Sequence, residues 1–261
     1  MLIYKKIKLK TTLFIGNTFL EYPQLASTNL FALDYLAKNN PSEGTVISTP
    51  NQTSGRGQIG SKWESEADKN ISLSIILYPK FLNASEQFYL SKIIGLAVRD
   101  FLATLIPSEE LCIKWPNDLY VNDKKIGGIL IQNSLVGISI KSAVIGIGIN
   151  INQIEFLSDA PNPTSAQLET SQIHDISVLN KTLFWYIEKW YMALKANKKA
   201  LIDTSYLSHL YQINEWKSYK NLKTEQIFQG KITGIAKNGE LEMTTSLGLK
   251  RFNIKEIKFR T

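Results

Sequence analysis

The sequence predicts an α+β chain in which a mixed β-sheet is packed with helices on one side and followed by a small β-barrel. Three observations predict it. Helical periodicity is confined to residues 28–38, 83–107 and 177–211, while 111–150 reads as short β-branched runs separated by turn residues. From Glu215 to the end the text is again strand-like. At 261 residues the chain has room for one large domain and a small one, divided here into 1–214 and 215–261.

Each element has its own signal. MLIYKKIKLK alternates lysines with apolar residues and is read as structure, because a signal peptide would continue into an unbroken apolar run. TNLFALDYLAK at 28–38 places Leu30, Leu33, Leu36 and Ala37 on one face, with Ser27 or Thr28 as N-cap. TVIST at 45–49 and ISLSIILY at 71–78 are strands, and the polar, glycine-rich stretch between them is a loop. Asn83 and Glu86 form an N-cap and N3 pair ahead of Leu90, Ile94, Ala97, Phe101 and Leu105, a helix that Pro107 ends. LCIKW, LYV, IGGILIQ and ISIKSAVIGIGIN then form an antiparallel meander with turns at Asn122-Asp123 and Asn133-Ser134. After a proline-rich loop, Leu183, Tyr186, Trp190 and Leu194 set the register of a helix over about 177–199, and another runs to Tyr211. An Asn238-Gly239 turn divides the strands of the last domain.

Composition excludes several classes. Hydrophobic residues at 44% and charged residues at 20% are globular values, and no apolar run approaches the ~20 residues of a membrane span. Cys112 alone cannot form an internal disulfide, and His174 and His209 give no zinc-ligand spacing, so the expected setting is cytoplasmic and without a transition metal. The net charge of +7 comes from scattered lysines, as a solvated surface would give; a phosphate-bearing ligand or an acidic partner would also suit it.

Three segments have the makings of chemistry. Gly55, Gly57 and Gly60 spell G-x-G-x-x-G, but no helix starts inside it and no acid follows at the required distance, so a dinucleotide fold is rejected. What remains is Arg56 between two glycines, where main-chain N–H groups and a guanidinium can approach one anion, or else a plain surface turn. In LCIKWPND, strand alternation points Cys112 and Lys114 to the same face; Lys114 lies at the sheet rim or faces a bound anion, and Pro116 turns Asn117 and Asp118 to a pocket edge. Gly146 and Gly148 leave one strand face bare, for a flat ligand or for a close backbone crossing.

Taken together, STN at 27–29, NQTSGRGQIGSKW at 51–63, KWPNDLYVNDKKIGGIL at 114–130 and VIGIGIN at 144–150 resemble, in order and spacing, the biotin protein ligases that act on acetyl-CoA carboxylase. The resemblance runs from about Thr18 to the C-terminus. It implies a class II aminoacyl-tRNA-synthetase-like sheet with a C-terminal SH3-like barrel. It also implies ATP, Mg²⁺ and biotin as reactants and the biotin carboxyl carrier protein as partner. Ser27, Thr28 and Gln52 match residues at the biotin ureido ring, with Asn29, Gly57, Gln58, Gly127 and Gly128 also at the biotin pocket and Trp63 closing it. Arg56 and Lys114 match the catalytic cations, Lys114 beside the carboxylate; both, with Asn117, Gly148 and Asn150, would meet ATP, Asn150 near the metal. Two departures stand out. Gln58 replaces a second arginine common after G-R-G, and only 26 residues precede Ser27, so no DNA-binding winged helix and no DNA or membrane partner is expected. A homodimer is left open. A lipoate or octanoate ligase of the same fold is the near alternative, and a basic nucleic-acid-binding module the distant one.

Overall fold

The structure is a computed structural model that describes residues 11–58, 60–158 and 162–260. The reading of residues 1–10 as structure lies outside the described residues. The larger domain is built on a seven-stranded sheet of order β1-β2-β5-β9-β8-β7-β6. Its strands are β1 (Phe19–Glu21), β2 (Thr45–Ser48), β5 (Asn70–Leu77), β6 (Leu111–Lys114), β7 (Asp118–Val121), β8 (Lys124–Val136) and β9 (Ser139–Asn150). All neighbours are antiparallel except β1 and β2, which makes the sheet mixed. Between β2 and β5 a two-stranded ribbon, β3 (Gly55–Arg56) with β4 (Lys62–Trp63), stands where the sequence predicts only a loop.

Alternation along the central strands decides what each face carries. Val46, Leu73, Ile75, Ile145, Ile147 and Ile149 point into the main core with α2 (Phe88–Leu102) and α4 (Ile176–Lys195). Ile47, Ile76 and Val144 point the other way and pack on Ala32 of α1 (Thr28–Lys38). Helices therefore cover both faces, not one. One-sided packing is the simpler inference from a meander, and it fails because β5 and β9 are buried on both sides, Ser72, Ser74 and Gly146 of the second face included. Two short helices, α3 (Ala166–Thr170) and α5 (Lys199–Ser208), complete the domain.

Two local expectations are corrected. Asn83 makes no side-chain cap; a 3-10 turn occupies Ala84–Glu86 and α2 begins at Phe88. No turn forms at Asn133-Ser134: β8 continues to Val136, and the hairpin closes at Gly137, whose φ of 56° suits a residue without Cβ. The C-terminal sheet has the order β13-β12-β11-β10-β14. It comprises β10 (Trp216–Asn221), β11 (Ile227–Ile235), β12 (Leu241–Thr245), β13 (Gly248–Phe252) and β14 (Ile257–Phe259). The expected barrel is an open five-stranded sheet, since β13 and β14 each pair on one side only. Among the described residues no helix is long and apolar enough to cross a membrane.

Candidate active site

The site lies on the α1 face of the large sheet, where Gly128, Gly146 and Gly148 of β8 and β9 leave the strands bare. A narrow cleft of about 150 Å³ is lined by Ser27, Thr28, Asn29, Gln52, Arg56, Gly57, Gln58, Ser61, Lys62, Trp63, Asn117, Asp118, Lys125 and the strand residues 128–130 and 146–148. Arg56, Gly57, Gln58, Lys62 and Asn117 also line a wider groove of about 1070 Å³ that reaches Asn238 and Lys255 of the C-terminal domain. The inner end therefore suits a small body, and the outer end a larger group.

Neutral hydrogen-bonding groups furnish the inner end. Ser27 caps α1, accepting from Leu30 N at 3.5 Å, which holds the start of the helix at the sheet. Gln52 Oε1 accepts from Thr28 N at 2.9 Å and from Thr28 Oγ1 at 3.3 Å, and Thr28 Oγ1 in turn accepts from Ser74 Oγ at 3.0 Å. With its oxygen so engaged, Gln52 presents Nε2 as a donor. Asn29 is only 4% exposed; its Nδ2 donates to Leu130 O at 3.5 Å while its Oδ1 is buried without a partner. An orphaned buried acceptor costs about 1–3 kcal/mol, and a ligand N–H would recover it.

Trp63 forms the lid. Its indole lies on Gly148 so closely that a Cβ there would sit 2.5 Å from the ring, and one at Gly128 would sit 3.2 Å from it. Its Nε1 is buried and unpartnered, a second open donor over the cleft.

The outer end is cationic. Lys125 pairs with Asp118 at 2.7 Å, and its Nζ lies 5.8 Å from the Trp63 ring. Arg56 is exposed and has no ion-pair partner among the described residues. Asn117 holds the turn beneath them, donating through Nδ2 to Ile129 O at 2.7 Å while its own carbonyl accepts from Ile129 N at 2.9 Å. Arg56, Lys62 and Lys125 against the single carboxylate of Asp118 make this end an anion site.

The structure thus brings Ser27, Thr28, Asn29, Gln52, Arg56, Gly57, Gln58, Trp63, Asn117, Gly128 and Gly148 to one cleft, and leaves three predicted residues out of its lining. Lys114 lies beside the cleft and outside its lining: its Nζ donates to Tyr120 Oη at 3.0 Å, among aromatic rings. Asn150 is buried and donates through Nδ2 to Thr164 O at 2.9 Å. A Cβ at Gly127 would meet Leu119 and the Gly148 carbonyl, beneath the floor. Lys125 is the residue that sequence reasoning missed. Its place follows from a register shift between Leu119 and Tyr120, which sets Lys125 opposite Tyr120 on the cleft face. A bulge leaves no trace in residue spacing.

A metal was expected at Asn150. Its Oδ1 is a buried acceptor without a partner, but no group of three His, Cys, Asp or Glu side chains able to hold a metal occurs among the described residues. Asp118 is engaged by Lys125. These residues do not form a resident Mg²⁺ site.

Residues 21–150 match the biotin/lipoate A/B protein ligase family. The bifunctional ligase/repressor BirA of Bacillus subtilis is 30% identical over 260 residues, covering 94% of this chain and 74% of that protein. The biotin–[acetyl-CoA-carboxylase] ligase of Paracoccus denitrificans is 30% identical over 175 residues, covering 63% and 70%. Among solved structures, the biotin protein ligase of Aquifex aeolicus in complex with biotin and ATP superposes with a TM-score of 0.76 at 26% identity, covering 94% of this chain and 99% of that one. On the matched motifs, the site they build and the identity over nearly the whole chain, this protein belongs to the biotin protein ligase family.

Proposed function

We propose that the chain is an ATP-dependent ligase that activates biotin as biotinyl-5'-AMP and transfers it to a lysine of a biotin carboxyl carrier protein of acetyl-CoA carboxylase. The observation that carries this reading is the polarity of the cleft. Its inner end offers a donor at Gln52 Nε2 and an acceptor at Asn29 Oδ1, and its outer end offers Arg56 and Lys125. Biotin has the complementary layout, a neutral ureido ring with N–H donors and a carbonyl at one end and a carboxylate at the other.

In the first step a carboxylate oxygen of biotin forms a bond to the α-phosphorus of ATP while the bond to the β-phosphate bridge breaks and pyrophosphate leaves. Two anions must meet, so fixed cations at the junction stabilise the transition state more than the separated reactants. Arg56 and Lys125 take this role, and Lys125 replaces Lys114 in it. Mg²⁺ would be held by the phosphates of ATP and would neutralise part of their charge. In the second step the carrier amine attacks the acyl carbon, AMP leaves, and the amine gives up a proton. Trp63 and the β3–β4 ribbon keep water from the mixed anhydride meanwhile. The cytoplasm, where ATP is available, is the compartment this reaction needs.

Incubation with ATP, labelled biotin and a biotin carboxyl carrier domain tests the reading. Label should appear on one lysine of the carrier. Transfer of lipoate in preference to biotin would assign the chain to the other branch of its family.

A further inference from the structure

We infer that Lys114 is a positioning residue, whose ammonium, held in an aromatic cage shared between the two domains, fixes the Asp118–Lys125 pair at the outer end of the cleft. The inference rests on the cleft being the biotin and ATP site.

Three rings surround this cation. Lys114 Nζ lies 4.4 Å from the Tyr120 ring centre, 5.4 Å from that of Tyr211 and 4.9 Å from that of Phe259. They come from three parts of the fold: Tyr120 from β7, Tyr211 from the connection after α5, and Phe259 from β14, the last strand of the C-terminal domain. The rings also touch one another, Tyr120 to Tyr211 at 5.5 Å and Tyr211 to Phe259 at 6.1 Å. Each ring face attracts a cation, and the attraction strengthens when water is excluded. Tyr211 is held in turn by its hydroxyl, which donates to Asp123 Oδ1 at 2.5 Å.

Among the described residues strand β6 has no strand partner on its outer side, and it is pinned at two alternate residues, one to the segment after α5 and one to the C-terminal domain. Ile113 N donates to His209 O at 2.8 Å and Tyr211 N to Ile113 O at 2.9 Å. The buried Trp115 donates through Nε1 to Gly239 O at 2.9 Å. Lys114 stands between these two anchors. Across the ladder it faces Asp118, and Asp118 holds Lys125 at 2.7 Å. The cage thus lies one residue pair away from the cation assigned to the reacting carboxylate. An uncharged chain of the same length could fill the cage but would lose its hold on the rings and its field at Asp118.

The charge gives a readout that packing alone would not. Burial pushes the Lys114 pKa below the ordinary lysine value, and Lys125 lowers it further, while Asp118, Cys112 and Asp123 oppose the shift. The other titratable groups of the cage move the opposite way: burial pushes Cys112 up to about 12 and raises Tyr120 and Tyr211. Within the cage, Lys114 is therefore the first to lose its proton as pH rises. Arginine would occupy the cage without titrating.

The test is biotin-dependent exchange of pyrophosphate into ATP, which needs no carrier lysine. It is measured against pH for wild type, Lys114→Met and Lys114→Arg, with thermal melts of each. A displaced catalytic group costs about ten- to a hundredfold in turnover, so Lys114→Met should lose that much in kcat with a smaller change in KM for biotin. Wild type should lose activity on the alkaline side before Lys114→Arg does. Should Lys114→Met fail to fold, Tyr211→Leu opens the cage with the lysine retained, and the same loss in kcat is expected. Turnover within threefold of wild type for whichever of these two variants is read overturns the inference, as does an alkaline limb identical in wild type and Lys114→Arg. A wild type without biotin-dependent exchange overturns the ligase reading itself and this inference with it.

Discussion

Replacing Lys125 by methionine removes the one cation of the cleft that the sheet itself positions, and leaves a side chain of similar length. A unit charge about 4 Å from a carboxylate interacts with about 4 kcal/mol at an effective dielectric of about 20. Lys125 is 23% exposed and shares its charge with Asp118 at 2.7 Å, so solvent and that partner screen part of this. About 2–3 kcal/mol remains for the approaching anions, which corresponds to roughly a 30- to 150-fold loss in the rate of adenylate formation. The variant also leaves the Asp118 carboxylate unpaired at the mouth of an anion site, which adds repulsion in the same direction. The assay is single-turnover formation of biotinyl-AMP from saturating biotin and MgATP, followed by quenched flow. A rate within threefold of wild type would refute the placement of Lys125 at the reacting carboxylate.

Three further outcomes follow from the same geometry. Gln52→Ala removes the Nε2 donor and the anchor of Thr28, so calorimetry should show biotin binding weakened by about 1–3 kcal/mol with ATP affinity little changed. Gly148→Ala places a methyl group 2.5 Å from the Trp63 ring; the indole must move, and stopped-flow release of biotinyl-AMP should be about tenfold faster. Far from the site, buried Glu188 accepts from the backbone N–H groups of Leu13, Phe14 and Ile15 at 2.7, 2.8 and 3.0 Å. Glu188→Gln turns a donor toward those donors at a cost of about 2–4 kcal/mol, and Tm should fall by roughly 5–12 °C.

Much of the site could be read from residue order because its parts are local. The Ser27 cap, the anion-ready Gly-Arg-Gly segment and the bare face at Gly146 and Gly148 each follow from a few neighbouring residues. The oddity of Lys114 was also legible: alternation put a lysine where it needed a partner. The partner could not be read, because Phe259 lies 145 positions away in another domain, and a cage and an anion answer the same need. Lys125 was hidden for the opposite reason. Beside Lys124 it looks like any solvated lysine, and only the bulge in β7 and β8 turns it to the cleft. The second helical face was missed because serine and glycine at 72, 74, 146 and 148 alternate with apolar residues as on a sheet with one solvated side, although both sides of β5 are buried.

The central claim is that this cleft joins biotin to AMP with Arg56 and Lys125 at the junction. Its most direct test is mass spectrometry of the small molecules released from the denatured wild-type protein after incubation with biotin and MgATP in the absence of any carrier. The account predicts biotinyl-AMP in amounts approaching the protein concentration, absent when either substrate is omitted and strongly reduced in Lys125→Met. Biotin bound without any adenylate, or adenylate formed equally well by Lys125→Met, would contradict it.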